Sequence, residues 1–353
     1  MKVSILTGSL TATQTISFGF DQNYCEVEDR ICFKMYSWSD LKRLSPTEMK
    51  NEMKDLYESD YIILSRWYPP FTVEKIIQGA RKRRKAIYLH LDDFLYRVPK
   101  SIGLDKWKFY ANPTILDSLD KTTRCVDGVI ASTPNLAEKI RMLYPDIKIH
   151  TCPFYKCFSP DINQDWHQRA VRRPYPVIGY MGTQSHADDL DCISESVSTL
   201  LRSFTNLSFE TFGVEVTPTL LQRFGDRCST ISKIDDYDRF LAKLKALGWW
   251  IGLAPLDNNE FNYCKANTKA LEYLTAGIPV VASNIGPYKE LPQLRIPDDS
   301  PSQLSNYLGA ALCSFNMRDE LFKSQIDYAR KFQDPTLLLK FYKTLSTSFT
   351  KAA

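Results

Sequence analysis

The chain has 353 residues, of which 44% are hydrophobic and 24% charged, and its formal net charge is +4. That length exceeds what one core usually spans and suits two domains, and the composition is that of a globular chain, not a disordered one. So small a net charge supplies no basic field of the kind nucleic acid attracts, and no stretch is long and apolar enough to cross a bilayer.

The opening residues MKVSILTGSLTATQT carry one Lys and a very short apolar run, which reads as a first strand, Val3–Gly8, and not as a signal peptide. Further short runs rich in Val, Ile and aromatic residues follow at Ile31–Tyr36, Tyr61–Trp67, Ala86–Leu91, Gly128–Ser132 and Ile147–Cys152. Helical patterns lie between them at Pro46–Glu58, Val73–Arg84 and Asn135–Leu143. The polar, proline-flanked stretch SPDINQDWHQRAVRRPYP, residues 159 to 176, marks the boundary between two halves. The second half repeats the order with strands Val177–Met181, Leu207–Phe212, Cys228–Ile231, Trp249–Ala254, Ile278–Ser283 and Leu294–Ile296. Its helices are Leu190–Phe204, Tyr237–Leu247 and Thr268–Ala276. Strand–helix alternation with continuous apolar strands predicts an α/β fold of parallel sheets covered on both faces. The last helical pattern, Pro335–Phe349, has apolar residues spaced to pack on something. Nine cysteines are scattered without a CxxC pair, so reduced, mostly buried thiols in a cytosolic protein are expected, with no disulfide framework and no zinc site.

Four stretches carry candidate chemistry. In KANTKALEYLTAGIPVVASNIG, residues 265 to 286, Lys265, Lys269 and Glu272 fall four and three apart and share one helix face. Asn267 or Thr268 caps that helix, and Gly277 sits where a left-handed residue ends it. The apolar strand that follows opens into Asn284–Gly286, and ligands of such sheets bind beyond the carboxyl ends of strands. In YLHLDDFLYRVP, residues 88 to 99, an apolar strand ends in Asp92 and Asp93. Strand alternation sends the two carboxylates opposite ways, one to the cleft and one to a helix cap. In VIGYMGTQSHADDL, residues 177 to 190, Gly182 and Thr183 open a turn beyond which Ser185 and His186 stand. Ser132 and Thr133 are explained by capping. The fourth stretch, Arg81-Lys82-Arg83-Arg84-Lys85, is a solvated helix end or a patch for anionic lipid.

KALEYLTAGIPVVASNIGPYKE resembles the C-terminal signature of family 4 retaining glycosyltransferases, and the segments at 88–99, 126–141 and 177–190 resemble further elements of that family in the right order. The resemblance implies the GT-B fold, with two Rossmann-like domains facing an interdomain cleft. It implies an acceptor domain over 1–165, a nucleotide-sugar domain over 166–334, and a C-terminal helix over 335–353 that packs back on the first domain. It implies that Glu272 binds the ribose hydroxyls of the donor, with Gly182, Thr183, Ser185, His186, Asn284 and Gly286 around it. Lys265 or Lys269 neutralises the diphosphate, and Asp92 and Asp93 act at the reacting centre. Gly8 and Arg66 then face the acceptor. The implied activity is hexosyl or deoxyhexosyl transfer to a glycan or lipid-linked acceptor, in cell-surface polysaccharide biosynthesis such as that of lipopolysaccharide. Neither a metal nor a cofactor is expected, the nucleotide-sugar being a substrate. A cytoplasmic location is expected, peripheral at the membrane if the basic run docks there. One position departs from the family: Cys264 stands where it has a Glu near the donor sugar, with Glu260 four residues earlier. That departure favours a rival reading, a non-catalytic interaction or regulatory subunit on the same scaffold. A nucleotide-sugar epimerase is a second rival, for which few carboxylates stand near the sugar.

Overall fold

The computed structural model describes residues 1–18, 31–152, 173–183, 187–292, 301–332 and 340–346. The first half builds one parallel sheet from β1 (Lys2–Thr7), β2 (Cys32–Ser37), β3 (Tyr61–Ser65), β4 (Ala86–Leu91), β5 (Gly128–Ala131) and β6 (Ile149–Thr151). Their order across the sheet is β2-β1-β3-β4-β5-β6. The second half builds another parallel sheet from β7 (Val177–Met181), β8 (Ser208–Phe212), β9 (Cys228–Ile231), β10 (Ile251–Ala254) and β11 (Val280–Ala282), ordered β11-β10-β7-β8-β9. Strand order reverses between β1 and β3 in the first sheet and between β7 and β10 in the second. A crevice opens beyond the carboxyl ends of the strands at each reversal.

Local chemistry starts and stops the covering helices. Ser45 and Glu48 form a reciprocal capping box on Pro46–Tyr57, and Pro113, Pro134 and Pro218 each occupy a first helical turn. Gly277, at φ 76°, ends Thr268–Thr275 in the left-handed region. The predicted helix Leu190–Phe204 is instead two pieces, Ala187–Asp191 and Ser194–Ser203. Strand Leu294–Ile296 lies outside the described residues, as do most of the predicted boundary and part of Pro335–Phe349. Among the described residues no helix is long and apolar enough to cross a membrane.

At the second switch point two glycines lie side by side, Gly179 of β7 paired with Gly252 of β10. Aromatic rings fill the space over them. A Cβ on Gly179 would stand 2.0 Å from the Trp249 ring, and one on Gly252 2.6 Å from the Tyr273 ring. The Tyr273 hydroxyl accepts from Met181 N at 2.8 Å and donates to Leu253 O at 3.1 Å, which ties the ends of β7 and β10 together. Trp249 is held in turn by its Nε1–H donating to Glu210 at 2.7 Å. Gly179→Ala is therefore expected to lose about 1–3 kcal/mol or more by overpacking, because the displaced group is a fully buried, hydrogen-bonded indole. Urea denaturation checks this, and unchanged stability would contradict the packing described.

The halves are joined by more than covalent chain. Residues 340–346 are helical, and Tyr342 and Leu345 pack with Val3, Ile5, Tyr61 and Tyr88 of the first half. Tyr88 donates its hydroxyl proton to Leu345 O at 2.7 Å. Helices Pro301–Cys313 and Phe315–Ala329 stay with the second sheet, where the Gln325 amide pairs with both backbone groups of Val280 on the edge strand. The short helix Glu260–Tyr263 docks in the opposite direction. Phe261 and Cys264 are buried in the first half's core, Thr133 donates to Cys264 O at 2.8 Å, and Asn135 donates to Tyr263 O at 3.0 Å.

Candidate active site

A cavity of about 710 Å³ lies between the two sheets, within the size range of small-molecule sites. Its wall in the second half comes from the carboxyl ends of β7, β8 and β10 and from the helix Thr268–Thr275. Lys269 and Glu272 stand on that helix three residues apart, and both line the cavity. The opposite face of the helix, Ala270, Leu271 and Leu274, is fully buried. The helix is thus far from being a solvated surface element, and its two charges are aimed inward by the burial of its apolar side.

Tyr237 donates its hydroxyl proton to Glu272 Oε1 at 2.9 Å, which fixes the carboxylate and leaves Oε2 for a ligand. Burial pushes the Glu272 carboxyl up to about 7, against the opposing effects of Tyr237 and Lys269. Burial likewise pulls the Lys269 ammonium down to about 8, opposed by the charge of Asp189. Lys269 Nζ donates to Tyr180 OH at 3.3 Å and stands 4.4 Å above the same ring. Beside Glu272, Phe240 stacks on Phe212 at 5.1 Å and on Tyr237 at 5.9 Å, giving an aromatic wall. Two titrating groups of opposite sign at one apolar-walled surface suit a ligand with hydroxyls next to an anionic group.

The first half contributes Asp92 and Asp93 and the segment after β1, from Leu10 to Thr13. The sequence-based alternation rule fails for the two aspartates. β4 stops at Leu91, so Asp92 and Asp93 sit in a bend, and both turn to one guanidinium. Arg66 Nε donates to Asp92 Oδ1, and its Nη2 donates to Asp93 Oδ2 at 2.5 Å. Neither carboxylate is seen capping a helix. Burial, with Asp93 alongside and only partly offset by Arg66, pushes Asp92 up. Asp93 is held well below the usual carboxylate range, because Arg66, Lys106 and Lys265 outweigh the same burial. One carboxyl inclined to hold a proton beside one that stays ionised is the division of labour acid–base chemistry uses.

Several expected site residues lie elsewhere. Arg66 sits behind the aspartates at a left-handed φ of 47°, so it clamps them and does not line the cavity itself. Gly8 is exposed and outside the lining, its carbonyl accepting from Ser39 N at 3.0 Å. Gly182 lines the cavity, but its N–H donates to Phe212 O at 3.0 Å, so it offers a ligand room and no amide. Thr183 lines the cavity beside it, and Ser185 and His186 lie outside the described residues. Asn284 is exposed and away from the lining. Gly286, at φ 43°, meets the backbone of Asn262 and Tyr263, where a Cβ would come within 2.8 Å of Tyr263 Cα. It is a packing glycine under the docked helix Glu260–Tyr263.

Neither residue considered for the missing carboxylate faces the cavity. Cys264 is fully buried, and burial pushes its thiol up to about 12. Glu260 is taken by Arg97 at 3.1 Å and Lys139 at 2.9 Å, both from the first half. The basic run is partly committed as well. Arg81 donates to Cys125 O at 2.7 Å, and Arg83 lies 4.6 Å over the Tyr57 ring. Sequence reasoning missed Tyr237, Phe212, Phe240 and Lys106. The aromatic residues look like core residues in the sequence, although Phe212 and Tyr237 border the carboxyl ends of β8 and β9, where the switch-point rule directs attention. Among the described residues no group of three His, Cys, Asp or Glu side chains is placed to hold a metal ion.

No family model matches the chain, and no curated protein does. Solved structures do. The chain is similar to a UDP-forming alpha,alpha-trehalose-phosphate synthase from Burkholderia xenovorans, with a TM-score of 0.63 and 12% identity over 99% of each chain. It is similar to the trehalose-6-phosphate protein of E. coli bound with UDP-2-fluoro glucose, with a TM-score of 0.60 and 12% identity over 98% of this chain and 99% of that one. A mutant of S. aureus TarM, solved in complex with Fondaparinux, alpha-GlcNAc-glycerol and UDP, matches with a TM-score of 0.55 and 12% identity. That match covers 82% of this chain and 56% of TarM. At this identity the likeness establishes the fold: two Rossmann-like domains in the GT-B arrangement, with which the two parallel sheets agree.

Proposed function

We propose that the protein is a glycosyltransferase that moves a sugar from a nucleotide-sugar to a glycan or lipid-linked acceptor. The observation that carries this reading is Glu272 and Lys269 on one inward helix face, lining the cavity between the two sheets at the β7/β10 switch point. One carboxylate accepts from two neighbouring ribose hydroxyls, and the ammonium three residues away balances the diphosphate in place of a metal ion. The Phe212–Phe240–Tyr237 wall suits the flat face of a nucleobase. The neighbours' bound UDP and UDP-2-fluoro glucose support a donor of that class.

In this reading the acceptor enters on the side of Asp92 and Asp93. As the bond from the anomeric carbon to the diphosphate oxygen breaks, its electron pair leaves with the diphosphate, which Lys269 stabilises. The acceptor hydroxyl adds to the anomeric carbon and its proton passes to Asp92 in its ionised form, which burial makes the more basic of the two carboxylates. Asp93 stays ionised and holds Arg66 in place. Retention of anomeric configuration and a place in cell-surface polysaccharide biosynthesis follow from the resemblance of residues 269–290, and product NMR reads the configuration directly.

The test is calorimetric titration with UDP, GDP, dTDP and CMP sugars. One of them is expected to bind, and Glu272→Ala to weaken it by about 10-fold or more while the protein stays folded, since each charge-assisted bond contributes roughly 1.5–3 kcal/mol. Affinity is expected to rise as pH rises through about 7, where Glu272 ionises, and Glu272→Gln to remove that dependence. The stability sign is opposite. The folded pKa lies above the ordinary carboxylate value of 4.5, so the free protein holds a proton that the unfolded chain has released. Its stability therefore falls as pH rises from that value to about 7. Nucleotide affinity unchanged in the folded Glu272→Ala variant would remove the reading.

A further inference from the structure

Two ammonium groups from opposite halves stand at the same distance from one ring. Lys106 Nζ, from the helix Leu104–Tyr110, and Lys265 Nζ each stand 5.4 Å from the centroid of Phe261. Both residues line the cavity. Lys106 reaches Asp93 at 3.5 Å. Lys265 Nζ is shielded from solvent and has no hydrogen-bond acceptor among the described residues. A buried ammonium with three idle donors is a costly arrangement in the absence of an acceptor. Burial pulls its pKa down, against the charges of Asp93 and Asp189, while Lys106 adds repulsion. Its backbone is not loose, because the preceding helix is docked through Tyr263 O and Cys264 O and packed from below by Gly286. Lys269 is also depressed by burial, but it has Tyr180 as a hydrogen-bond partner and shares its helix face with Glu272.

We propose that Lys106 and Lys265 form a second anion subsite, separate from the diphosphate position at Lys269, which holds an oxyanion carried by the sugar substrate. A phosphate or carboxylate there would supply the acceptor that Lys265 lacks and satisfy both ammonium groups at once. It would also bridge the two halves, because one lysine comes from each. The proposal rests on the donor reading in one respect: Lys269, and not Lys265, meets the diphosphate.

The experiment is isothermal titration of the full chain with inorganic phosphate, glucose 6-phosphate, glucuronate and uncharged glucose, with and without a saturating nucleotide. Wild type is compared with Lys106→Met, Lys265→Met and Lys269→Met. At least one charged sugar is expected to bind about 10-fold or more tightly than glucose, and whether it is the phosphate or the carboxylate identifies the source of the anion. Lys106→Met and Lys265→Met should each remove that preference and leave nucleotide affinity within about twofold, whereas Lys269→Met should do the reverse. Lys265→Met should change the melting temperature little, since the buried ammonium it removes has no hydrogen-bond acceptor among the described residues and meets Asp93 only as a more distant charge. Equal binding of glucose and the charged sugars overturns the proposal. So does a loss of nucleotide affinity in Lys265→Met as large as that in Lys269→Met, or displacement of the charged sugar by nucleotide. If no nucleotide binds to any variant, the donor reading fails, and the charged-sugar titrations still decide the subsite.

Discussion

Lys269→Met is expected to lower the rate of sugar transfer by about 10²–10³-fold with little change in fold, the scale on which one preorganised donor to a developing anion acts. The size of the effect follows from how few other groups stand ready at that point. The N–H of Met181 is already taken by Tyr273 OH, and the N–H of Gly182 by Phe212 O, so neither is left to meet a departing diphosphate. The charge must come from a side chain, and Lys269 is the cation on the same inward face as Glu272. Methionine keeps the length and apolar stem that cover Tyr180. Transfer kinetics with the best donor from the titration panel measure the loss, with circular dichroism as the control for folding. A variant that transfers within about threefold of wild type would show that the leaving group is stabilised elsewhere.

Arg66→Met is expected to destabilise the protein by about 3–5 kcal/mol at neutral pH, because it strips the shared partner from two carboxylates. Each carboxylate side chain is only 15–20% exposed and cannot recover the loss from water. The effect should depend on pH in a defined direction. Asp93 has a folded pKa held below its unfolded value, so its contribution is present above the ordinary carboxylate range and is lost as pH falls below that range towards the folded value. Removing Arg66 removes that contribution, so wild type and variant should converge in acid and separate towards pH 7. Urea midpoints across that range test this, and a pH-independent difference would contradict the ion-pair account. Activity should fall as well, since the orientation of Asp92 depends on the same guanidinium.

Strand positions were readable because a parallel strand buried on both faces is a continuous apolar run, and Ala86–Leu91 and Val177–Met181 end where their runs end. Runs that overshoot the ladder mislead. Trp249 and Trp250 continue the apolar signal of β10, but they lie before Ile251, and Trp249 serves to cover Gly179 instead. Spacing put Lys269 and Glu272 on one helix face, since helical geometry makes residues three apart neighbours, but Lys265, expected on the same face, lies before the helix begins at Thr268. The Asp92–Asp93 pair was readable as a cavity-facing pair and misread in geometry. Nothing local says that β4 ends one residue before the first aspartate, or that Arg66 adopts a left-handed backbone to reach both. The fate of Cys264 was not readable at all. Its burial is set by a helix of one half docking into the core of the other, and that contact joins residues 131 positions apart in the chain.

The chain passes from the first sheet to the second between residues 152 and 173, and returns between 332 and 340. Two such tethers hold each lobe at a high effective concentration relative to the other, whatever happens to the non-covalent seam between them. Breaking the Glu260 ion pairs or the Thr133 and Asn135 bonds would therefore widen the range of swing without releasing either lobe. The two halves therefore stay neighbours by connectivity as well as by contact, and a cavity walled by both can re-form after its seam has opened.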